Sequence, residues 1–205
     1  MYKRQHKKGR IITTEIEHAA TVNTAKQLAA DGFDVVFLAP DATGHITPEV
    51  LSEALTEDTI LLSCQLVNNE IGTVQPVEQL GRLLKAKAPK ALFHIDAVQG
   101  LCRVRLTPKK WNCDLMSVSG HKIGAPKGIG ALYVKKGLRL PPLTFGGGQE
   151  RGLVSGTENT AGFIGLAAAM KEAVEGLDEK MGYVKKLTDK LVKGIMENIP
   201  YSHYT

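Results

Sequence analysis

The stretch Asp114-Leu-Met-Ser-Val-Ser-Gly-His-Lys-Ile-Gly-Ala-Pro-Lys-Gly-Ile-Gly-Ala-Leu-Tyr133 decides how the rest of the sequence reads. Its first apolar run predicts a strand over residues 115–118 that ends at Ser119. A second run predicts a strand over residues 129–134, hairpin-like with its neighbour. Between the two, glycines let the backbone approach a ligand closely. Lys122 falls just past the first strand, beside small residues and His121. A lysine so placed can be desolvated, which lowers its pKa and frees the amine for Schiff-base formation. Ser119 and His121 can donate hydrogen bonds to a phosphate. Taken alone, Ser-Gly-His-Lys also reads as a surface turn; the strand–loop context, flanked by Gly128 and Gly130, favours a site.

Working outward, short apolar runs alternate with helical patterns, the signature of an α/β fold with a mostly parallel sheet flanked by helices. Strands are predicted over residues 10–14, 34–39, 59–63 and 91–95, the last ending at Asp96. Helices are predicted over residues 18–30, with Gly32 as the stop, and over residues 47–55, where Thr47 caps and Pro48 and Glu49 suit the first turn. Pro76 opens another helix, whose Val77, Leu80, Leu83 and Leu84 form one apolar stripe. From Glu158 the pattern changes to two long helices, over residues 160–176 and 179–198. These are expected to leave a large domain, residues 1–157, and to start a smaller second one, residues 158–205. Asn69 and Glu70, Asp96 and Gln99, and Ser119 to Lys122 all follow the carboxyl ends of predicted strands. Ligands sit at that edge of an open α/β sheet, so the three clusters point to one site.

The chain has 205 residues, 43% hydrophobic and 23% charged, as expected of a globular fold. Part of its net charge of +5 sits in a basic arm containing Lys3, Arg4, Lys7, Lys8 and Arg10. No aromatic residues interleave that arm for base stacking, which argues against nucleic acid. No run has the length of a membrane span or the form of a signal peptide, so no membrane association and a cytoplasmic location are expected. Cys64, Cys102 and Cys113 show no CxxC spacing, which argues against a zinc site or a disulfide framework. Cys64 ends an apolar run and is expected to be a buried structural thiol. His6, His45, His94 and His203 lack ligand spacing, so no metal is assigned. His94 is expected to face the sheet surface, and Trp111 to be a packing residue.

The 114–133 segment resembles the lysine signature of the class V aminotransferases, enzymes that use pyridoxal 5'-phosphate (PLP) on fold type I. Three further segments resemble the cysteine desulfurase branch: Val67-Asn-Asn-Glu-Ile-Gly-Thr-Val-Gln75, His94-Ile-Asp-Ala-Val-Gln99, and Gly146-Gly-Gly-Gln-Glu-Arg-Gly-Leu-Val-Ser-Gly-Thr-Glu-Asn159. The resemblance implies that Lys122 binds the cofactor covalently and then acts as the base for the α-proton. It implies that Asp96 pairs with the pyridinium nitrogen and Gln99 with the phenolic oxygen. Asn69 would reach that oxygen or the substrate carboxylate, and His18 would stack on the ring and shuttle a proton. Ser119 and His121 would bind the phosphate, and Thr157 the phosphate in a neighbouring subunit, which implies a homodimer.

The implied reaction takes L-cysteine to L-alanine and passes sulfur, as a persulfide, to a sulfur-acceptor or scaffold protein for iron–sulfur clusters or thiolated tRNA. The resemblance covers roughly the central half of a full family member. On that alignment the nucleophilic cysteine and a carboxylate-binding arginine lie beyond Thr205, and Val154 stands where the family usually carries arginine. Two alternatives stay open: another PLP enzyme of the class such as selenocysteine lyase, and a non-catalytic fragment that binds a partner subunit.

Overall fold

The computed structural model describes residues 9–204; Lys3, Arg4, Lys7 and Lys8 of the basic arm, and His6, lie outside the described residues. The strands are β1 Arg10–Thr14, β2 Asp34–Leu38, β3 Thr59–Gln65, β4 Leu92–Asp96, β5 Leu115–Ser119 and β6 Gly130–Val134. The helices are α1 Ala19–Ala30, α2 Pro48–Ala54, α3 Val77–Lys87, α4 Thr160–Glu175 and α5 Leu177–Asn198. One six-stranded sheet has the order β2-β1-β3-β4-β5-β6. All neighbours are parallel except β6, which runs antiparallel to β5 in the expected hairpin-like arrangement. The architecture is therefore a mostly parallel sheet flanked by helices, as in PLP enzymes of fold type I. The strand order reverses between β1 and β3, and ligands of open α/β sheets bind outside such a reversal.

Local chemistry explains the helix ends. Thr47 Oγ1 accepts from the Val50 amide at 3.4 Å, with proline opening α2. Asn159 Oδ1 accepts from the Gly162 amide at 2.9 Å and so starts α4. The α3 stripe buries Val77, Leu80 and Leu84, with Leu83 packed against the same cluster. On the neighbouring turn Gly81 lies so close to the 111 peptide that an added Cβ would sit 2.0 Å from the Trp111 carbonyl oxygen.

Strand alternation divides the sheet. Ile12, Leu62, Cys64, Phe93, Ile95 and Met116 share one face and join Leu51, Leu80, Leu84 and Trp111 in the core. Burying such an aliphatic or aromatic side chain contributes about 1.5 to 3 kcal/mol each. Trp111 packs there as expected.

Ser63, Gln65, His94, Asp96 and Ser117 occupy the opposite face, where Asp96 is in register with both Gln65 and Ser117. His94 does lie on a sheet face, but not free: its Nδ1 is 2.8 Å from Ser63 Oγ and its Nε2 is 2.8 Å from Ser117 Oγ. Burial pushes its pKa down, partly offset by the charge of Asp96.

Most element bounds fall within two residues of the sequence expectation, and two differences bear on the site and its surroundings. β3 continues two residues past Ser63, because Cys64 and Gln65 pair with Ile95 and Asp96. The apolar stripe of α5 is at the surface: Leu187 is 50% exposed and Leu191 64% exposed. No helix among the described residues is long and apolar enough to cross a membrane.

Candidate functional site

Three adjacent parallel strands end side by side at Gln65, Asp96 and Ser119. Strand spacing of about 4.8 Å and a rise of about 3.3 Å per residue put the Cα atoms of Asp96 and Ser119 roughly 8 Å apart. Beyond Ser119 the chain closes a single 3₁₀ turn, Gly120–Lys122, with the Ile123 amide donating to the Gly120 carbonyl at 3.0 Å. Gly120 is needed there: a Cβ would meet the Ala125 Cβ and the Ile129 Cγ2 at 2.9 Å each. The turn brings Ser119 Oγ to 2.7 Å from His121 Nδ1, pairing the two expected phosphate ligands.

Lys122 follows on the same turn. Its Nζ makes no hydrogen bond or ion pair among the described residues, and the side chain is exposed. The described residues therefore leave this amine exposed and do not supply the desolvation expected around it.

Asp96 accepts from the Val98 amide through Oδ1 at 3.0 Å, and its Oδ2 is uncommitted among the described residues. Gln99 is half-buried in the turn that follows. Asn69 is exposed, whereas its neighbour Asn68 is buried and structural: it donates to the Ile16 carbonyl at 2.9 Å and accepts from the amides of Glu70 and Ile71 at 2.8 and 2.9 Å. His18 is exposed and caps α1, its Nδ1 accepting from the Ala20 amide at 3.2 Å. Thr157 shares no cavity wall with these groups. It lines an apolar cavity of about 930 Å³ between the β5–β6 hairpin and α4, whose walls include none of the other candidate residues.

The sequence reading missed Glu17. This carboxyl is 7% exposed. Its Oε1 accepts from Thr14 Oγ1 at 2.9 Å and from the Gln65 amide at 2.8 Å, and Oε2 is buried without a partner. Burial pushes it from 4.5 up to about 7, against the hydrogen bonds from Gln65 and Thr14; the charge of Asp96 adds to the rise. No local pattern marks the residue, because its partner Gln65 is 48 positions away in the chain.

None of the three thiols is activated. Cys64 is wholly buried, as expected, and burial raises its pKa well above the ordinary value. Burial pushes Cys113 up to about 12, and raises Cys102 against the charges of Arg103 and Lys180. Among the described residues no cluster of three His, Cys, Asp or Glu could hold a metal.

The profile of the class-V aminotransferases matches residues 1–204. The chain belongs to the class-V aminotransferase family. A cysteine desulfurase IscS of Clostridium botulinum (strain Hall) is 44% identical over 199 residues, 97% of this chain and 50% of the relative. A putative cysteine desulfurase IscS 1 of Bacillus subtilis (strain 168) is 49% identical over 170 residues, 83% of this chain and 44% of the relative. Among solved structures, a NifS-like protein superposes with a TM-score of 0.91 at 44% identity, covering 94% of this chain and 53% of the other. SspA in complex with cysteine superposes with a TM-score of 0.79 at 43% identity, over 83% of this chain and 49% of the other. The chain thus spans about half the length of the curated relatives it matches.

Pyridoxal phosphate is the cofactor of this class-V aminotransferase fold, and the residues present fit it. An uncommitted amine, an uncommitted carboxylate oxygen and a hydroxyl–imidazole pair stand at one sheet edge. Those are the groups that a carbonyl, a pyridine nitrogen and a phosphate require.

Proposed function

We propose that this chain carries the cofactor-binding core of a cysteine desulfurase. The observation that carries the reading is the placement of Asp96 and Lys122 just at and beyond the carboxyl ends of neighbouring strands β4 and β5, on the carboxyl edge of a sheet whose strand order reverses between β1 and β3. Bound pyridoxal phosphate supplies a sink for the electron pair released when a bond at the substrate α-carbon breaks.

The chain's own residues do the rest. Lys122 would hold the cofactor carbonyl and then act as the base for the α-proton. Asp96 would pair with the ring nitrogen and keep it protonated. Gln99 would donate to the ring oxygen, and Asn69 to that oxygen or to the substrate carboxylate. Ser119 and His121 hold the phosphate, and His18 covers the ring from the amino end of α1. Thr157, on a separate wall, reaches the phosphate of a second copy in a homodimer. L-Cysteine is the proposed substrate, a sulfur-acceptor or scaffold protein the proposed partner, and the cytoplasm the proposed location. Residues 1–157 belong to the large domain and 158–205 lead into a second.

The three thiols of the chain favour a second reading for the chain by itself. Each is buried or half-buried with a raised pKa, so none offers a thiolate to abstract sulfur. On that reading the 205 residues bind cofactor without completing sulfur transfer. Mixing the purified chain with the cofactor, L-cysteine and an excess of a dithiol that reduces persulfide sulfur to sulfide, then measuring alanine, sulfide and the colour that stays with the protein after free cofactor is removed, tests both. Alanine and sulfide in equal amounts support the desulfurase activity of this chain; colour without either product supports the second reading; no colour contradicts both.

A further inference from the structure

We propose that Glu17 is a positioning residue that locks the His18 turn to β3 and sets, through its own charge, the protonation of groups paired with Asp96. The proposal rests on the cofactor reading above.

The lock is a four-point junction at the reversal of strand order. Residues 15–18 leave β1 and must cross to the start of α1. Glu17 Oε1 ties them to Thr14 at the end of β1 and to the Gln65 amide at the end of β3. From the other side, Gln65 Nε2 and Asn68 Nδ2 both donate to the Ile16 carbonyl, at 2.6 and 2.9 Å. The Ile16–Glu17 peptide is thus fixed to the end of β3 and the turn after it, one strand from Asp96, and His18, the next residue, has little freedom to drift from the sheet edge.

The electrostatic part follows from what surrounds the carboxyl. The titratable groups that act on or feel Glu17 are Asp96 on β4 and the Cys64 thiol on β3; His94, beneath Asp96, feels Asp96 in turn. No cation forms an ion pair with Glu17 among the described residues, and its Oε2 is buried without a partner. Among the described residues only the two hydrogen bonds, and no cation, offset its charge, and a proton gained or lost there is felt by Asp96. An ionised Glu17 adds to the negative potential at Asp96 and favours the protonated form of anything paired with it; a neutral Glu17 does not.

Two measurements test this. In the cofactor-free chain, carbon-13 NMR of labelled glutamate carboxyls should show one titration near 7 that disappears in Glu17→Gln. In the cofactor-loaded chain, the visible absorbance is followed against pH. Glu17→Gln should move its midpoint to lower pH, because a negative charge that favours the protonated chromophore has been removed. Thr14→Val, which deletes one hydrogen bond to the carboxylate, should shift the midpoint the same way by less, and serves if the glutamine variant does not fold.

An unchanged midpoint in folded variants overturns the electrostatic role, since a merely structural residue would alter stability without moving it. A Glu17 carboxyl that titrates near 4.5 in the cofactor-free chain overturns the proposal at its root. If wild type takes up no cofactor, the cofactor reading has failed, and the carboxyl titration still decides whether Glu17 is the proton-sensitive group.

Discussion

Replacing Glu17 by glutamine should make the protein more stable above pH 7 while leaving it nearly unchanged at pH 5. Burial raises the folded-state pKa of this carboxyl from 4.5 to about 7. Below pH 4.5 the group is protonated both folded and unfolded, and it exerts no pH-dependent penalty. Between 4.5 and 7 the unfolded chain releases the proton and the folded chain keeps it, so stability falls as pH rises. Above 7 the loss is complete, and the raised pKa corresponds to about 3 kcal/mol.

Glutamine keeps an oxygen to accept from Thr14 and Gln65 and never ionises, so the variant escapes the loss. For a chain of this size about 3 kcal/mol corresponds to a rise in Tm of roughly 6 to 12 °C at pH 8. The assay is thermal or urea unfolding of both proteins from pH 5 to 8, followed by circular dichroism. Curves that stay parallel across that range would refute the reasoning.

Two other substitutions test the packing that holds the site. Asp114 is 6% exposed and accepts from Lys85 Nζ at 2.6 Å, Lys135 Nζ at 3.0 Å and the Phe93 amide at 3.0 Å. Burial opposes its charge, but these bonds outweigh burial and hold the carboxyl below its usual range. Asp114→Asn should therefore cost about 2 to 4 kcal/mol near neutrality in urea unfolding. It should also flatten the wild-type loss of stability as pH falls through the folded-state pKa, and a neutral effect would mean the cluster holds nothing together. Gly81→Ala should lower Tm, although alanine favours a helix by about 1 kcal/mol. The new methyl meets the Trp111 carbonyl at 2.0 Å, and relieving such overpacking costs about 1 to 3 kcal/mol or more. A raised Tm would show that α3 has room to move.

The sequence was most informative where chemistry and local pattern coincide. Apolar runs ending at Asp96 and Ser119 fixed both strand ends, since each run is short and bounded by polar or glycine residues. Asp96, Ser119, His121 and Lys122 could be placed at one edge because parallel strands align their carboxyl ends. Glu17 could not be found this way. It looks like one more polar residue before a helix, and only the β1–β3 pairing turns it inward onto Gln65. His94 illustrates the same limit, because its hydroxyl partners Ser63 and Ser117 lie on different strands. β3 reaches Gln65 because Cys64 and Gln65 pair with Ile95 and Asp96, a cross-strand pairing that no local pattern marks. The α5 stripe was legible as amphipathic, but what covers it is not written in local periodicity.

The central claim is that one amine, among the lysines of this basic chain, is set apart to capture an aldehyde. Borohydride reduction of the chain in the presence of the cofactor, followed by peptide mass spectrometry, tests it directly. A pyridoxyl group concentrated on Lys122, and lost in Lys122→Ala without transfer to another lysine, is the predicted result. Label spread evenly over exposed lysines such as Lys127, Lys136 and Lys186, or absent from Lys122, would contradict the account.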